Sequence, residues 1–327
     1  MQKSFNAFTV TLLLVLLGLP FVGIAQNKLD IAVRLDEDNR LLTIQQDVTF
    51  LNTSSDTLDV IYFNDWANSF ASKRSGLGIR FEENYDRRFH LAPEEDRGSS
   101  KINNIIDENF RNLKFKRLPD AEDILRVNLN KPLLPGQAQK IKMNYNIRVP
   151  DSKFTGYGVL NNGDYNLKYW FIAPAVYDGT WQYYSNKNLD DLFMAPTDFS
   201  IDFSFQSDFT LINELDMQPE EFSANAQFKT VHLEGDNHNN TTIYLRKKSE
   251  FDSTETDAFT VVTNIKDRKV IPEREAIIID KITGFLTEKL GNYPFDKLVI
   301  SVIDYRDNPV YGLNQLPDFL SPFPEDF

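Results

Sequence analysis

The sequence lacks cysteine altogether and has only three histidines, His90, His232 and His238, among its 327 residues. Disulfide scaffolds and cysteine-based zinc modules are therefore excluded. It also lacks a His-Glu-x-x-His segment, a Gly-x-Ser-x-Gly segment and a glycine-rich phosphate-binding loop. We therefore assign no catalytic residues and no metal ligands in this chain.

Basic residues are fewer than acidic residues in this sequence. Lys and Arg number 35 against 48 Asp and Glu, which gives a formal net charge of −13. An acidic surface of this kind repels phosphate backbones, so we expect no nucleic-acid partner.

Apolar residues make up 41% of the chain, enough for a folded core, and the length exceeds the roughly 250–300 residues of a single core. We expect one large domain and a second or partial one.

Long apolar runs are confined to the N-terminus. Residues 1–25 contain one cation, Lys3, then an apolar run that ends at Pro20, and small residues precede Gln26. This pattern is typical of a signal peptide cleaved before Gln26. An uncleaved anchor is the alternative, but the apolar run is shorter than the roughly 20 residues that a span needs. We predict a signal peptide over 1–25, export to the periplasm or the cell exterior, and no transmembrane segment after cleavage.

Alternation of apolar and polar residues with a period of two dominates the sequence from Leu29 onward. Strands with this pattern bury one face and leave the other in water. It predicts a mainly β fold in which residues 26–250 form a large antiparallel β-sandwich or saddle. Segments 63–73 and 101–113 are less regular, and we expect short helices there. The alternation is clearest in segments 29–35, 42–50, 125–129, 141–149 and 199–205 and around Tyr244.

The pattern changes after about residue 251. Apolar residues follow helical spacing over 273–290, Pro272 precedes them, and Gly291 and Pro294 end the run. A strand is predicted next, over 297–305. We expect residues 251–327 to be the beginning of an incomplete second domain.

Two polar segments invite a metal-site interpretation. The acidic run 36–39 lacks the glycine and terminal glutamate of a helix-loop-helix calcium site, so we interpret it as a hairpin turn. His232 and His238 flank a Gly-Asp-Asn segment, and we interpret them as residues of a solvated loop.

Two motifs carry more information than the spacing of apolar residues. Residues 169–178 read YWFIAPAVYD, and this segment resembles the Trp-aromatic-Pro-x-x-Ala-Val-Tyr-Asp segment of bacterial members of the aminopeptidase N family of zinc metallopeptidases. Residues 290–298 read LGNYPFDKL, similar to the Leu-Gly-x-Tyr-Pro-aromatic segment at the start of the family's catalytic domain. Residues 312–317, GLNQLP, then stand where the family has its Gly-Gly/Ala-Met-Glu-Asn/Tyr-Pro substrate-binding strand.

The resemblance implies that the β-domain is followed by the first helix and strands of a thermolysin-like α+β domain. It also implies a peptide substrate, and zinc held by a His-Glu-x-x-His helix beyond Phe327 in a full-length parent. As printed, the chain is not expected to hydrolyse peptides; its partners would be a peptide substrate or the rest of its own catalytic domain. The substrate-binding residues implied by the resemblance are Gly312, Leu313, Asn314, Gln315 and Tyr169.

Two of these residues depart from the family pattern. Gln315 replaces the glutamate that holds the substrate's free amine, and Tyr169 replaces a glutamine that the family often has before the Trp. A charge-assisted hydrogen bond is roughly twice as strong as a neutral one, so selectivity for a free N-terminus should weaken. An inactive peptidase-like scaffold that binds peptide, protein or glycan is therefore the alternative. A sugar-binding β-sandwich is a further possibility, suggested by Trp66, Trp170 and Trp181, although core packing explains these residues equally well.

Overall fold

The computed structural model describes residues 26–188, 192–266 and 272–303. The predicted signal peptide over 1–25 and the predicted binding residues Gly312, Leu313, Asn314 and Gln315 lie outside these ranges. The mainly β fold predicted from the sequence is confirmed. None of the helices within these ranges has the length and hydropathy needed to cross a membrane.

The described residues contain 21 strands, three α-helices and two short 3-10 helices. The helices are α1 (Gly76–Glu83), α2 (Arg88–Leu91) and α3 (Pro272–Leu290), with 3-10 helices at Trp66–Phe70 and Glu94–Asp96. The strands are β1 (Asn27–Asp36), β2 (Leu41–Leu51), β3 (Leu58–Asn64), β4 (Ser99–Asp107), β5 (Phe115–Leu118), β6 (Ala121–Leu133), β7 (Ala138–Arg148), β8 (Gly158–Val159), β9 (Tyr165–Leu167), β10 (Ala173–Pro174), β11 (Val176–Tyr177), β12 (Trp181–Gln182), β13 (Thr197–Gln206), β14 (Thr210–Ile212), β15 (Asp216–Met217), β16 (Glu221–Phe222), β17 (Phe228–His238), β18 (Ile243–Arg246), β19 (Asp252–Glu255), β20 (Thr260–Thr263) and β21 (Lys297–Ile300).

The largest sheet has eight strands in the order β15-β17-β13-β1-β2-β7-β4, and β16 also pairs with β17. Its neighbours are antiparallel except β1 and β13, which are parallel. The sheet is therefore mixed at one position, where the expectation was purely antiparallel. Two four-stranded sheets, β10-β3-β6-β5 and β14-β18-β9-β8, and the pair β11-β12 complete this part of the molecule.

One continuous apolar core joins the largest sheet to the two four-stranded sheets. The inward residues of β1, Leu29, Ile31, Val33 and Leu35, are at most 3% exposed, and residues from β3, β6, β9 and β18 belong to the same cluster. This is the layered arrangement that the period-two pattern predicts, because each strand contributes every second side chain to the interior.

The hairpin turn predicted over the acidic run 36–39 forms between β1 and β2. In the acidic run, the Asp36 side chain accepts hydrogen bonds from the backbone and side-chain nitrogens of Asn39 at 3.1 and 2.7 Å, which closes the β1–β2 hairpin. Gly136 has φ 73° between β6 and β7, a conformation that glycine adopts without steric cost.

One sequence prediction of element type and one of strand length differ from the structure. The 3-10 helix Trp66–Phe70 agrees with the helix expected in segment 63–73, but segment 101–113 contains most of strand β4. The last predicted strand is shorter than expected, since β21 ends at Ile300. The helix expected over 273–290 is confirmed as α3.

The C-terminal segment, described over residues 252–266 and 272–300, contains a three-stranded sheet, β19-β20-β21, in which β20 and β21 are parallel. Parallel neighbours need a long crossover connection, usually a helix, and α3 occupies that connection. Several apolar side chains of α3 are 42–81% exposed: Ile277, Ile278, Ile282, Phe285, Leu286 and Leu290.

The exposed apolar side of α3 leads to a prediction about local stability. Few tertiary contacts protect this helix, whereas β7 lies between two neighbouring strands in the largest sheet. We expect amides of α3 to exchange with solvent at least about tenfold faster than amides of β7, because local opening costs less there. Native-state hydrogen exchange with mass spectrometry measures this directly. Equal protection of the two elements would contradict the prediction.

The C-terminal segment contacts the β-rich part at a small polar junction. Lys297 Nζ donates to the Leu215 carbonyl at 2.5 Å, and the Phe295 ring stacks on His238 with centroids 3.9 Å apart. Burial raises the pKa of the nearby Glu214 carboxyl to about 7 and lowers the pKa values of Lys297 and His238. Burial therefore disfavours the charged form of each of these three groups.

The raised pKa of Glu214 predicts a specific pH dependence. Between about pH 4.5 and 7 the folded protein holds a proton that the unfolded chain releases, so this residue's contribution to stability falls as the pH rises. We expect the unfolding free energy of the wild type, relative to Glu214→Gln, to fall by about 1–3 kcal/mol from pH 4.5 to 8. Urea unfolding at several pH values tests this, with Glu221→Gln, at an exposed position, as the control. Parallel curves for wild type and Glu214→Gln would contradict it.

Candidate functional site

A cavity of about 980 Å³ lies beside Tyr169, the one predicted binding residue within the described ranges. We call it the Tyr169 cavity. Its volume is at the upper end of the roughly 300–1,000 Å³ typical of ligand pockets. Its walls come from the 3-10 helix Trp66–Phe70, helix α1, loop 150–158, segment 166–170 and residues 186–188.

Helix α1 is fixed at its start by serine and glycine residues. Ser75 is the N-cap: its Oγ accepts a hydrogen bond from Gly78 N at 3.1 Å and itself donates to the Ser69 carbonyl. A Cβ at Gly78 would lie 2.4 Å from the Lys73 carbonyl oxygen, so the chain can turn this tightly only with glycine.

A small second core of six residues holds the helical part of the cavity in place. Three rings of this core pack closely, with Phe89 centroids 5.2 Å from those of both Phe81 and Phe154. Because Phe154 belongs to loop 150–158, the contact ties that loop to α1 and α2. The core comprises Phe70, Leu77, Phe81, Phe89, Ala92 and Phe154.

Tyr169 is half-buried in the cavity wall and has a left-handed backbone conformation, φ 56°. Its ring meets Trp66 edge-on with centroids 4.9 Å apart, and the Lys168 ammonium lies 5.2 Å from its ring centroid. Trp66 is held in turn by a hydrogen bond from Nε1 to the Tyr184 carbonyl at 2.9 Å. Tyr169 thus lies where a bound molecule would contact it, and its binding role stays a prediction.

Lys168 lies between two tyrosine rings. Its Nζ is 4.7 Å from the Tyr157 ring centroid and 3.3 Å from the Tyr157 Oη. The ammonium is therefore held at the cavity by cation–π attraction to Tyr157 and Tyr169 and by a hydrogen bond to a phenol.

Segment 184–188 is anchored by the carboxylate of Asp123, which is 1% exposed. Asp123 accepts hydrogen bonds from Ser185 Oγ at 2.8 Å and from Asn186 N at 2.7 Å. Burial raises the pKa of Asp123 to about 6, although these two hydrogen bonds favour the ionised form. The segment carries Lys187 to the rim of the cavity.

The only carboxylate among the described lining residues is Asp86. Arg88 donates to both of its oxygens, with Nη2 at 2.6 Å from Oδ2 and Nε at 3.1 Å from Oδ1. These hydrogen bonds lower the pKa of Asp86, which makes it a weak proton acceptor. The cavity therefore offers cations, phenols and amides, which suit the binding of an anionic or planar group. Its described lining residues do not offer an acid–base pair for catalysis.

The histidines do not form a metal site in the described part of the chain, where no group of three or more His, Asp or Glu side chains could hold an ion. The solvated-loop interpretation of His232 and His238 is wrong, because β17 continues as far as His238. Pairing with β13 shifts register between Thr197 and Phe199, so the Gly-Asp-Asn segment forms a bulge rather than a turn. His232 contacts Asp202 at 2.7 Å on the surface, and His238 is buried.

Sequence reasoning found Tyr169 only through the resemblance and missed its neighbours. The basic residues of the lining come from five separate segments that only the fold brings together: Arg80, Arg88, Lys153, Lys168 and Lys187. A local signal existed for Lys168 alone, since it precedes Tyr169 in the chain.

No protein-family model and no curated protein matches this sequence. Among solved structures, a point mutant of an M1 zinc metallopeptidase from Deinococcus radiodurans aligns with a TM-score of 0.51 and 11% identity. The unmutated enzyme and a two-domain M1 mutant bound to L-arginine each align with a TM-score of 0.50 and 11% identity. Each alignment covers 84% of this chain and 55% of the other, so the chain spans about half the length of these structures. The likeness is one of fold, and the structures that share it are M1 zinc metallopeptidases, members of the aminopeptidase N family.

Proposed function

We propose that this chain is the N-terminal portion of an exported, aminopeptidase N-like zinc metallopeptidase that hydrolyses peptide bonds. In this proposal residues 1–25 are the signal peptide, residues 26–250 the N-terminal β-domain and residues 251–327 the beginning of the catalytic domain. The protein acts in the periplasm or outside the cell. Gly312, Leu313, Asn314, Gln315 and Tyr169 contact the peptide substrate.

The observation that carries the proposal is the fold likeness to M1 zinc metallopeptidases over 84% of the chain. Two features agree with it: the order of a β-rich part followed by α3 and β21, and the exposed apolar side of α3. In the proposal, other elements of the catalytic domain cover that side of α3.

The described residues do not suit a zinc ion, because they contain no group of three or more His, Asp or Glu side chains that could hold a metal. We therefore derive no hydrolytic step for this chain. In a full-length parent the metal would be held by residues outside the described ranges, and this chain would contribute substrate contacts and one wall of the site.

The test is to determine the coding sequence beyond Phe327 and to purify the full-length product. The proposal expects a His-Glu-x-x-His helix followed by a glutamate, about one zinc per chain by elemental analysis, and hydrolysis of aminoacyl anilides that a chelator abolishes. Absence of the zinc-binding motif, or a full-length protein with neither metal nor turnover, would refute it.

One observation favours the second candidate, an inactive scaffold that binds peptide, protein or glycan. The Lys168 ammonium lies beside Tyr169, so the protonated amine of a substrate placed at Tyr169 would meet a like charge. The neutral Gln315 likewise removes the negative charge expected for amine recognition. The same measurement separates the candidates, because a scaffold would lack turnover in its full-length form.

A further inference from the structure

The lining of the Tyr169 cavity has the opposite charge balance to the protein as a whole. The chain carries a net charge of −13, yet the described lining residues include five basic side chains and a single acidic one, Asp86. A local excess of cations on an acidic protein attracts small anions at close range, while the overall charge repels large polyanions. The basic residues are Arg80, Arg88, Lys153, Lys168 and Lys187.

Three of these cations are already neutralised by carboxylates. Arg88 pairs with Asp86 at 2.6 Å, and Lys153 pairs with Asp96 at 2.5 Å. Arg80 lies 3.6 Å from Glu83 on the same helix. The two arginines, whose planar guanidinium groups suit phosphate best, are therefore engaged within the protein.

Lys168 and Lys187 form no ion pair with any residue of the described ranges. Lys168 is half-buried, and its ammonium contacts two phenol rings and one phenol oxygen. Desolvation of a cation without a counter-charge is unfavourable, and a bound carboxylate would relieve it. Lys168 is therefore the stronger of the two anion-binding candidates.

Lys187 also lines the cavity, and its aliphatic stem contacts the beginning of helix α1. A Cβ built on Gly76 would lie 3.4 Å from Lys187 Cγ and 3.6 Å from its Cε, so the stem runs across the beginning of the helix. The Asp123 anchor on Ser185 and Asn186 fixes the backbone just before it. The lysine is thus held at the cavity rim with its charge exposed.

We propose that the Tyr169 cavity binds a peptide through a side-chain carboxylate, which pairs with Lys168 and is assisted by Lys187. The rings of Tyr169 and Trp66 contact the apolar part of the ligand. This inference rests on the proposed function in taking the ligand to be a peptide, and it adds a preference for acidic residues.

A matched pair of probes isolates the carboxylate. Acetyl-Ala-Glu-Tyr-Ala-amide and acetyl-Ala-Gln-Tyr-Ala-amide differ only in that group, and both lack charged termini. We expect the wild-type chain to bind the Glu peptide about tenfold more tightly than the Gln peptide at low salt, by isothermal titration calorimetry. Lys168→Met should remove that preference by weakening only the Glu peptide, and Lys187→Met should reduce it.

Lys140→Met is the control, because it removes the same charge from an exposed position on β7 that is not among the lining residues. It should leave both affinities unchanged. Circular dichroism and urea unfolding of each variant establish that the fold is kept, and if Lys168→Met unfolds, Lys168→Gln takes its place.

Equal binding of the two peptides, or equal losses in Lys140→Met and Lys168→Met, would overturn the inference. Binding of a glucuronate oligosaccharide without binding of either peptide would overturn the peptide as ligand. These results are separable from the proposed function, since zinc and turnover of the full-length protein do not depend on a preference for glutamate.

Discussion

Replacement of Asp65 by alanine is expected to lower the free energy of unfolding by about 3–5 kcal/mol. Asp65 is fully buried, its Oδ2 lies 2.7 Å from Arg117 Nη2, and Ser100 Oγ donates to the same oxygen. Alanine would leave the Arg117 guanidinium, whose side chain is 27% exposed, without its counter-charge, and this unpaired charge accounts for most of the loss. Urea unfolding of the two proteins measures the difference.

Two further variants separate charge from shape in this experiment. Asp65→Asn keeps the volume and one acceptor for Arg117, so we expect a smaller loss than for alanine. Asp47→Ala breaks a pair with Lys142 at 2.7 Å in which both side chains are about half exposed, and it should cost less than about 1 kcal/mol. Similar losses in Asp65→Ala and Asp47→Ala would contradict the prediction.

Strands with one buried face were predictable because their signal is local. β1, β2, β7 and β13 bury every second residue, and their alternation is visible in the sequence. β4 was missed because it lies at the edge of the largest sheet, where only Ile105 and Asp107 are fully buried. The parallel pairing of β1 with β13 joins segments about 170 residues apart, and no local pattern specifies such a partner.

The candidate site was much less predictable than the fold. The Tyr169 cavity depends on the close turn at Gly78, on the second core around Phe89 and on the Asp123 anchor, and each of these brings distant segments together. A short helix such as α1, Gly76–Glu83, has too few residues for a clear apolar period, so the sequence pattern did not predict it. The role of a charged residue such as Lys168 can be inferred only once its neighbours in the folded structure are known.

Tyr145→Phe is the second substitution for which we expect a large effect, a loss of about 2–4 kcal/mol of unfolding free energy. The Tyr145 hydroxyl is fully buried, accepts the Ile172 N–H at 3.1 Å and donates to Gln46 Oε1. Gln46 Nε2 closes the network with a 2.6 Å bond to the Ile172 carbonyl. Phenylalanine would leave a backbone N–H and an amide oxygen buried without partners, and each costs about 1–3 kcal/mol.

This network links the largest sheet to the segment that follows Tyr169, so its loss should also loosen the cavity wall. We expect Tyr145→Phe to weaken binding of the Glu peptide as well as to lower stability.

Tyr177→Phe is the matched control, because its hydroxyl bonds to Asp56 at 2.8 Å on the surface and its loss should cost less than about 1 kcal/mol. Urea unfolding measures the loss of unfolding free energy in each variant. If the loss in Tyr145→Phe is no larger than the loss in Tyr177→Phe, the buried hydrogen bonds contribute little to stability. A full loss with unchanged peptide affinity would mean that they stabilise the sandwich without positioning the wall.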